Sequence, residues 1–164
     1  MSVYGRILLA GLGSTLLLLG ALAFQYIGEL APCPMCIWQR WPHLVAILIA
    51  LAAMTILWRL RRVLSALGAV VMAVGAGLGL YHAGVEQRWW EGPSSCTGAS
   101  PTELSTDELL DQIMEAPVVL CDQIVWDLFG ITMAGWNAII SAGLAVLWIF
   151  AAYPKTPTPH VAPN

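Results

Sequence analysis

Four stretches of this sequence contain no Asp, Glu, Lys or Arg, and each approaches or exceeds the length of a membrane-spanning helix. They cover residues 7–27, 42–58, 63–85 and 128–153. A hydrocarbon core about 30 Å thick requires about 20 apolar helical residues, and a helix satisfies its own backbone polar groups there. None of the stretches alternates as barrel strands do. We therefore predict an all-α protein, a single four-helix membrane bundle over residues 1–153.

The amino-acid composition is also typical of a membrane protein. Only 10% of the residues are charged and 59% are hydrophobic, whereas a soluble domain has about 25% charged and roughly 45–50% apolar residues. An ordinary water-soluble fold is excluded. The few basic residues form no run beyond 59–62, so nucleic acid is not an expected partner. The proline-containing end, 154–164, is predicted to be a disordered cytoplasmic tail.

The first stretch also resembles a signal peptide, because Arg6 precedes a leucine-rich core and Ala21-Leu-Ala23 resembles a cleavage site. We treat this stretch as a retained span.

The basic residues predict the orientation of the bundle. Five of the seven basic residues fall at one end of the predicted bundle: Arg6, Arg59, Arg61, Arg62 and Lys155. All ten acidic residues fall at the other end. Lys and Arg concentrate in short cytoplasmic loops. We therefore expect a multi-pass protein of the bacterial inner membrane with both termini in the cytoplasm, and loops 28–41 and 86–127 in the periplasm.

All four cysteines fall in these two predicted periplasmic loops: Cys33, Cys36, Cys96 and Cys121. The periplasm is oxidising, so disulfides form and persist there. Four cysteines allow three pairings, which the sequence cannot decide. Passive staples and a four-thiolate zinc site are the alternatives to redox chemistry. A C-x-x-C bridge restrains little chain, and zinc ribbons usually carry two C-x-x-C hairpins, so redox chemistry is favoured.

The two loops place their cysteines in different media. Loop 28–41 is too short to leave the interface, and Trp38 and Trp41 would anchor it at the headgroups. Cys33 and Cys36 are therefore expected near the lipid boundary, where they can meet quinone, the lipid-soluble two-electron carrier. The longer second loop can meet a water-soluble protein. This arrangement predicts an electron relay.

A helix that begins at the C-x-x-C motif would activate one of its thiols. With Cys33 at the N-cap and Pro34 at the first helical position, Cys36 lies where free N–H groups favour a thiolate. Arg40, four residues on, would then face Cys36 and stabilise the thiolate or hydrogen-bond a quinone carbonyl. A snorkelling arginine is the alternative, and Pro42 makes the facing conditional because it breaks or begins a helix.

Two histidines and one loop segment are weaker candidates. His82 could hydrogen-bond a quinone or carry a proton, and ordinary packing is an equal alternative; for His43 packing is favoured. Gln25, Glu29 and Gln39 are interpreted as interfacial polar residues. A capping box at Ser105-Thr-Asp-Glu108 predicts a short amphipathic helix over 106–115, either flat on the membrane or simply solvated.

Jointly these features resemble the disulfide bond formation protein B (DsbB) family. The resemblance is carried by Cys33-Pro-Met-Cys36-Ile-Trp-Gln-Arg40 after the first span, and by Cys121-Asp-Gln-Ile-Val-Trp126-Asp-Leu-Phe-Gly130 before the fourth. It covers nearly the whole chain. It implies a protein-dithiol:quinone oxidoreductase that reoxidises a periplasmic thioredoxin-fold dithiol oxidase (DsbA-like) and reduces ubiquinone or menaquinone.

The resemblance also implies roles for individual residues. It implies the disulfides Cys33–Cys36 and Cys96–Cys121, with Cys96 forming the mixed disulfide with the partner protein. Cys121 would then attack Cys33, and Cys36 would engage the quinone. Arg40 and His82 fall at the family's quinone site, and no metal is implied. Gln39 stands where some members have Glu.

Two other functions remain open. Vitamin K epoxide reductases also combine a helical bundle with C-x-x-C and loop cysteines, although their C-x-x-C motif usually follows a later span. A structural membrane protein with passive disulfides belongs to a different class and predicts no quinone chemistry.

Overall fold

The computed structural model describes residues 1–93, 96 and 119–154, and within them four long helices dominate. The helices are α1 (Val3–Tyr26), α2 (Pro34–Met54), α3 (Arg61–Glu86) and α4 (Met133–Ala152). All four are long and apolar enough to cross a membrane. The predicted all-α, four-helix membrane fold is confirmed. The helix expected over 106–115 and residues 155–164 of the tail lie outside the described residues.

Side chains cap the start of three of these helices. Ser2 accepts a hydrogen bond from the Gly5 N–H at 3.1 Å, and Thr132 accepts one from the Gly135 N–H at 3.2 Å. Cys33 plays the same part for α2, with Pro34 at the first helical position. A side-chain acceptor at this position satisfies an N–H group that has no partner within the helix. The helix therefore begins at the C-x-x-C motif itself.

The bounds of α2 differ from the predicted span 42–58. The helix begins at Pro34 and ends at Met54, and it runs continuously through Pro42. Proline removes one helical hydrogen bond and its ring needs space. Gly75 of α3 gives the Pro42 ring that space, since a Cβ built on Gly75 would lie 3.0 Å from the ring. A neighbouring helix thus accommodates the proline that the sequence pattern marked as a boundary.

Helix α4 begins later than the predicted span because a hairpin precedes it. Strands β1 (Asp127–Leu128) and β2 (Ile131–Thr132) pair antiparallel. The two turn residues, Phe129 and Gly130, have φ of +54° and +75°, as a tight two-residue hairpin requires. The hairpin reverses the chain between Cys121 and α4, so the cysteine segment lies over one end of the bundle.

Small residues bring α3 and α4 into close contact. A Cβ built on Gly79 would lie 2.9 Å from the backbone nitrogen of Ala138, and one built on Gly68 would lie 2.6 Å from the Trp148 ring. Trp148 is fully buried. Close approach through small residues is the usual way in which helices pack in lipid. This contact sets the spacing of α3 and α4 near the candidate site.

We predict that Gly79→Ala destabilises the bundle and that Gly77→Ala does not. The new methyl group at 79 meets a backbone atom that cannot move aside, and such overpacking costs about 1–3 kcal/mol. Gly77, on the same helix, has open space around it. Reversible unfolding in mixed detergent measures both. Equal stability of the two variants would contradict the close contact described above.

Candidate functional site

The cysteines gather at one end of the bundle, which we call the cysteine end. Cys33 begins α2, and Cys96 and Cys121 form a disulfide with Cα atoms 5.3 Å apart. The Cys121 N–H also donates to the Cys96 carbonyl at 3.0 Å. All three residues are buried, in one cluster with Met35 and Val85. Residues from three separate parts of the sequence therefore form one sulfur-rich core.

The two cysteine pairs lie next to each other. The sulfur atoms of Cys33 and Cys36 are 2.8 Å apart, and the Cys36 N–H donates to the Cys33 sulfur at 3.2 Å. The Cys33 and Cys121 sulfurs and the nearest His82 ring nitrogen all lie within 4.8 Å of one another. Thiol–disulfide exchange requires a sulfur to approach a sulfur. At this separation Cys121 and Cys33 need only a small movement to react.

Cys33 holds its proton more tightly than an ordinary thiol. Its hydrogen bond with Cys36, followed by burial, raises the pKa of the Cys33 thiol far above the usual value. Burial disfavours the charged form, and a neighbouring sulfur shares the proton. When the pair is reduced, Cys33 is therefore the thiol that stays protonated.

The same side chains could be read as a metal site. Cys33, His82 and Cys121 each offer one ligand atom within a small volume. A metal-binding cysteine must be a thiolate, and Cys121 is already bonded to Cys96. The geometry therefore fits disulfide chemistry better than metal binding.

An apolar cavity of about 360 Å³ lies beside the C-x-x-C motif. Residues of α1, α2, α3 and α4 and of the segment after Cys121 line it, and Phe24 and Trp126 pack together on its wall with ring centroids 5.3 Å apart. Cys36, Arg40 and His82 contribute polar groups to the same wall. Cavities of this size and character typically bind small molecules.

Arg40 presents an unused donor at this cavity. Its Nη1 donates to the Gln25 side chain at 2.7 Å, but its buried Nε has no hydrogen-bond partner among the described residues. A buried donor without a partner is costly. A ligand carbonyl in the cavity would satisfy it. The structure thus brings Cys36 and Arg40 to one wall, four residues apart on α2, as the helical spacing predicts.

A chain of hydrogen bonds runs from the cysteines into the bundle. Gln39 Nε2 lies 2.7 Å from His82 Nδ1, Asn137 Nδ2 donates to Gln39 Oε1 at 2.7 Å, and His43 Nε2 lies 2.9 Å from Asn137 Oδ1. His82 Nε2 is 3.5 Å from the Cys33 sulfur. The chain crosses from α3 to α2 and α4. His82 is therefore tied to both the cysteines and the bundle interior.

Sequence reasoning missed parts of this site. It gave no role to Gln39, Asn137 or Glu86, and it favoured simple packing for His43. Glu86 and His43 also line the cavity. Polar residues inside a membrane helix are rare and usually functional, so Asn137 in the first turns of α4 was an available signal. The contacts among these residues, however, join separate helices, so the spacing of the residues in the sequence does not predict them.

Comparison with known proteins finds one family and several named relatives. A family model described as Disulfide bond formation protein DsbB matches residues 5–151. The chain is 34% identical over 142 residues to Disulfide bond formation protein B of Shewanella sp. (strain W3-18-1), covering 82% of this chain and 78% of that protein. It is 32% identical over 173 residues to the protein of the same name from Shewanella loihica, covering 96% and 98%.

A third relative carries no functional name. It is an uncharacterized protein of Rickettsia prowazekii, 27% identical over 135 residues, covering 80% of this chain and 78% of that protein. No solved structure matches the chain.

We predict that Cys33 in the fully reduced protein is alkylated more slowly than Cys36, and that Cys36→Ala lowers the pH at which Cys33 begins to react. The thiolate is the nucleophile, and the substitution removes the hydrogen bond that contributes most to the raised pKa of Cys33. Mass spectrometry after timed alkylation over a pH series measures both. An unchanged pH profile for Cys33 in Cys36→Ala would refute this cause of the shift.

Proposed function

Because this chain belongs to the disulfide bond formation protein B family, we propose that it reoxidises a thioredoxin-fold dithiol protein of the DsbA type and passes the electrons to membrane quinone. The coarser activity, a membrane oxidoreductase that generates disulfides, follows from the family. The finer reaction is supported above all by one observation. The Cys121 sulfur lies within 4.8 Å of the Cys33 sulfur, so the two cysteine pairs are placed for exchange.

The Cys96–Cys121 disulfide receives the electrons first. A thiolate of the partner attacks the Cys96 sulfur, an S–S bond forms with the partner, and Cys121 leaves as a thiolate. Cys96 is only 1% exposed, so the segment that carries it must move to admit the partner. Cys121 then attacks Cys33, which forms a Cys33–Cys121 bond and releases the Cys36 sulfur beside the cavity. Each exchange breaks one S–S bond and forms one.

The next two exchanges restore the Cys96–Cys121 disulfide and leave Cys33 and Cys36 reduced. The second thiolate of the partner attacks the mixed disulfide, so the partner leaves oxidised and Cys96 becomes a thiolate. Cys96 attacks Cys121, which restores their disulfide and frees Cys33, 2.8 Å from Cys36. The Cys33–Cys36 dithiol now carries the two electrons and both protons of the original donor.

The cavity has the chemistry to hold a quinone. Its wall is largely apolar, Phe24, Trp126 and Trp136 supply flat rings, and the partnerless Arg40 Nε is a donor for a carbonyl oxygen. A bound quinone supplies an acceptor for two electrons and two protons. His82 and Cys36 contribute to the same wall, so the acceptor would lie beside the sulfur that the exchange releases.

In this proposal the cysteine end faces the periplasm and both termini face the cytoplasm. Arg6 donates to the Phe150 carbonyl, and the Arg61 guanidinium lies 5.2 Å from the centre of the Tyr4 ring. These contacts place Arg6 and Arg61 at the end of the bundle away from the cysteines. Basic residues favour the cytoplasmic side, and a periplasmic cysteine end is where an oxidising partner can reach Cys96.

We predict that the purified protein reduces quinone under anaerobic conditions with a reduced DsbA-type protein as donor, and that Cys33→Ser and Cys96→Ser each abolish turnover. Each serine breaks one of the two disulfides on which the relay depends. Quinone absorbance follows the reaction, and Gly77→Ala serves as a folded control. A partner variant that keeps only its attacking cysteine should accumulate as a mixed disulfide with Cys96 of the wild type, because it lacks the second thiolate that would release it. Turnover by Cys96→Ser at the wild-type rate would show that electrons do not pass through the Cys96–Cys121 disulfide.

We predict that Arg40→Lys weakens quinone binding about tenfold. Lysine keeps the positive charge but lacks the Nε donor, and a hydrogen bond to a charged group contributes about 1.5–3 kcal/mol. Quenching of tryptophan fluorescence during quinone titration gives the Kd. Arg88→Lys is the matched control, since Arg88 does not line the cavity. Equal Kd values for the two variants would show that Arg40 does not hold the ligand.

A further inference from the structure

A buried carboxyl group lies at the cavity, and no Lys or Arg of the described residues forms an ion pair with it. Glu86 is the last residue of α3, is 7% exposed and lines the cavity with Cys36 and Arg40. The Thr132 side chain hydrogen-bonds the carboxyl group, and Oε1 is 3.8 Å from His82 Nε2. The other oxygen, Oε2, is buried with no hydrogen-bond partner in the part of the chain that the structure describes. An ionised carboxylate is costly to bury without a cation beside it. Such a group is well suited to gaining and losing a proton.

The hydrogen-bond chain decides the protonation of His82. Gln39 Nε2 donates to the Met35 carbonyl at 3.3 Å, and Gln39 Oε1 accepts from Asn137 Nδ2. Both contacts orient the Gln39 amide with its nitrogen toward His82 Nδ1, 2.7 Å away. An amide nitrogen only donates, so Nδ1 accepts. The neutral His82 ring must then carry its proton on Nε2.

His82 is therefore a donor at the site and a poor proton acceptor. Its Nε2–H faces the Cys33 sulfur at 3.5 Å and Glu86 Oε1 at 3.8 Å, and the ring also hydrogen-bonds the backbone of Cys121. Its lone pair at Nδ1 is occupied by the Gln39 N–H. A proton could be added to this ring only if the amide chain rearranged. Among the described residues, Glu86 places a carboxyl group beside His82 that can both take and release a proton.

We propose that Glu86 carries protons between the cysteine pair and the quinone, while the Gln39–Asn137–His43 chain holds His82 as a neutral Nε2–H donor. This inference rests on the proposed function. Oxidation of the Cys33–Cys36 dithiol breaks two S–H bonds, forms one S–S bond and releases two electrons and two protons, all of which quinone reduction consumes. Glu86 accepts each proton at one oxygen and releases it from the other, so it ends each cycle in its starting state.

His82 has a different task in this arrangement. Its Nε2–H can stabilise negative charge on the Cys33 sulfur or on the Glu86 carboxylate, whichever has just lost its proton. It thereby acts on both ends of the proton path without being protonated itself. His82 and Glu86 are four residues apart on the same face of α3. This spacing keeps the Nε2–H donor next to the carboxyl group.

The decisive variant is Glu86→Gln, which keeps the shape of the side chain and removes its exchangeable proton. We expect kcat for quinone reduction to fall about 10²-fold, the typical contribution of a positioned acid–base group. Quinone Kd from fluorescence and disulfide exchange with the partner without quinone should stay unchanged. Time-resolved infrared spectra during quinone reduction should show a transient carbonyl band of a protonated carboxyl group in the wild type, and this band should be missing in Glu86→Gln. Glu91→Gln, exposed at the same end, is the control.

A pair of His82 variants tests the donor assignment. The amide of His82→Gln can replace the Nε2–H, so this variant should retain most of the turnover that His82→Ala loses. Glu86→Asp keeps a carboxyl group and should recover part of the rate lost in Glu86→Gln, with the same quinone Kd. Recovery shows that the loss does not come from misfolding.

The outcomes separate the two proposals. If the wild type reduces quinone and Glu86→Gln does so at the same rate with its infrared band intact, the proton role of Glu86 is wrong and the proposed function stands. If His82→Gln is as inactive as His82→Ala, His82 is the proton acceptor and the donor assignment is wrong. If the wild type reduces no quinone at all, the proposed function fails and this inference fails with it.

Discussion

The hydrogen bond between Gln39 and His82 is the contact on which the arrangement of the site depends. In a membrane bundle a buried polar side chain has no bulk water to bond, so its partners must come from the protein itself. Here the partners continue through Asn137 to His43, which joins α2, α3 and α4. The same chain holds the His82 ring against the Cys33 sulfur. Helix packing and the chemistry of the cysteines are therefore fixed by one set of contacts.

Cys33 combines a structural and a chemical role. As the N-cap of α2 it accepts the Cys36 N–H, and in the proposed reaction it is the sulfur that Cys121 attacks. Its position at the start of the helix leaves one side toward Cys121 and the other toward Cys36, whose side chain lines the cavity. In that reaction the proposed water-soluble donor and lipid-soluble acceptor need never touch. Each meets its own cysteine pair, and Cys33 connects them.

The sequence predicted the fold well because the bilayer imposes a simple rule on apolar length, and four charge-free stretches satisfy it. It also predicted the start of α2, conditionally, from Cys33 and Pro34. The span bounds were less accurate because Pro42 fits within α2 opposite Gly75 and a hairpin precedes α4. Asn137 and Glu86 were missed because their significance lies in contacts between helices. The proximity of Cys121 to Cys33 is likewise a contact between residues far apart in the sequence, which spacing does not reveal.

The direction of the proposed reaction has to come from the quinone. Exchange among the three cysteine pairs conserves the number of S–S bonds, so none of these steps alone makes the electron transfer irreversible. Each 30 mV between two two-electron couples corresponds to about 1.4 kcal/mol, and only the final acceptor lies outside the sulfur chemistry. A buried site then has to manage protons as well as electrons, because separated charge is costly in an apolar cavity. A carboxyl group at that cavity, beside a histidine held neutral, allows each electron to be accompanied by its proton.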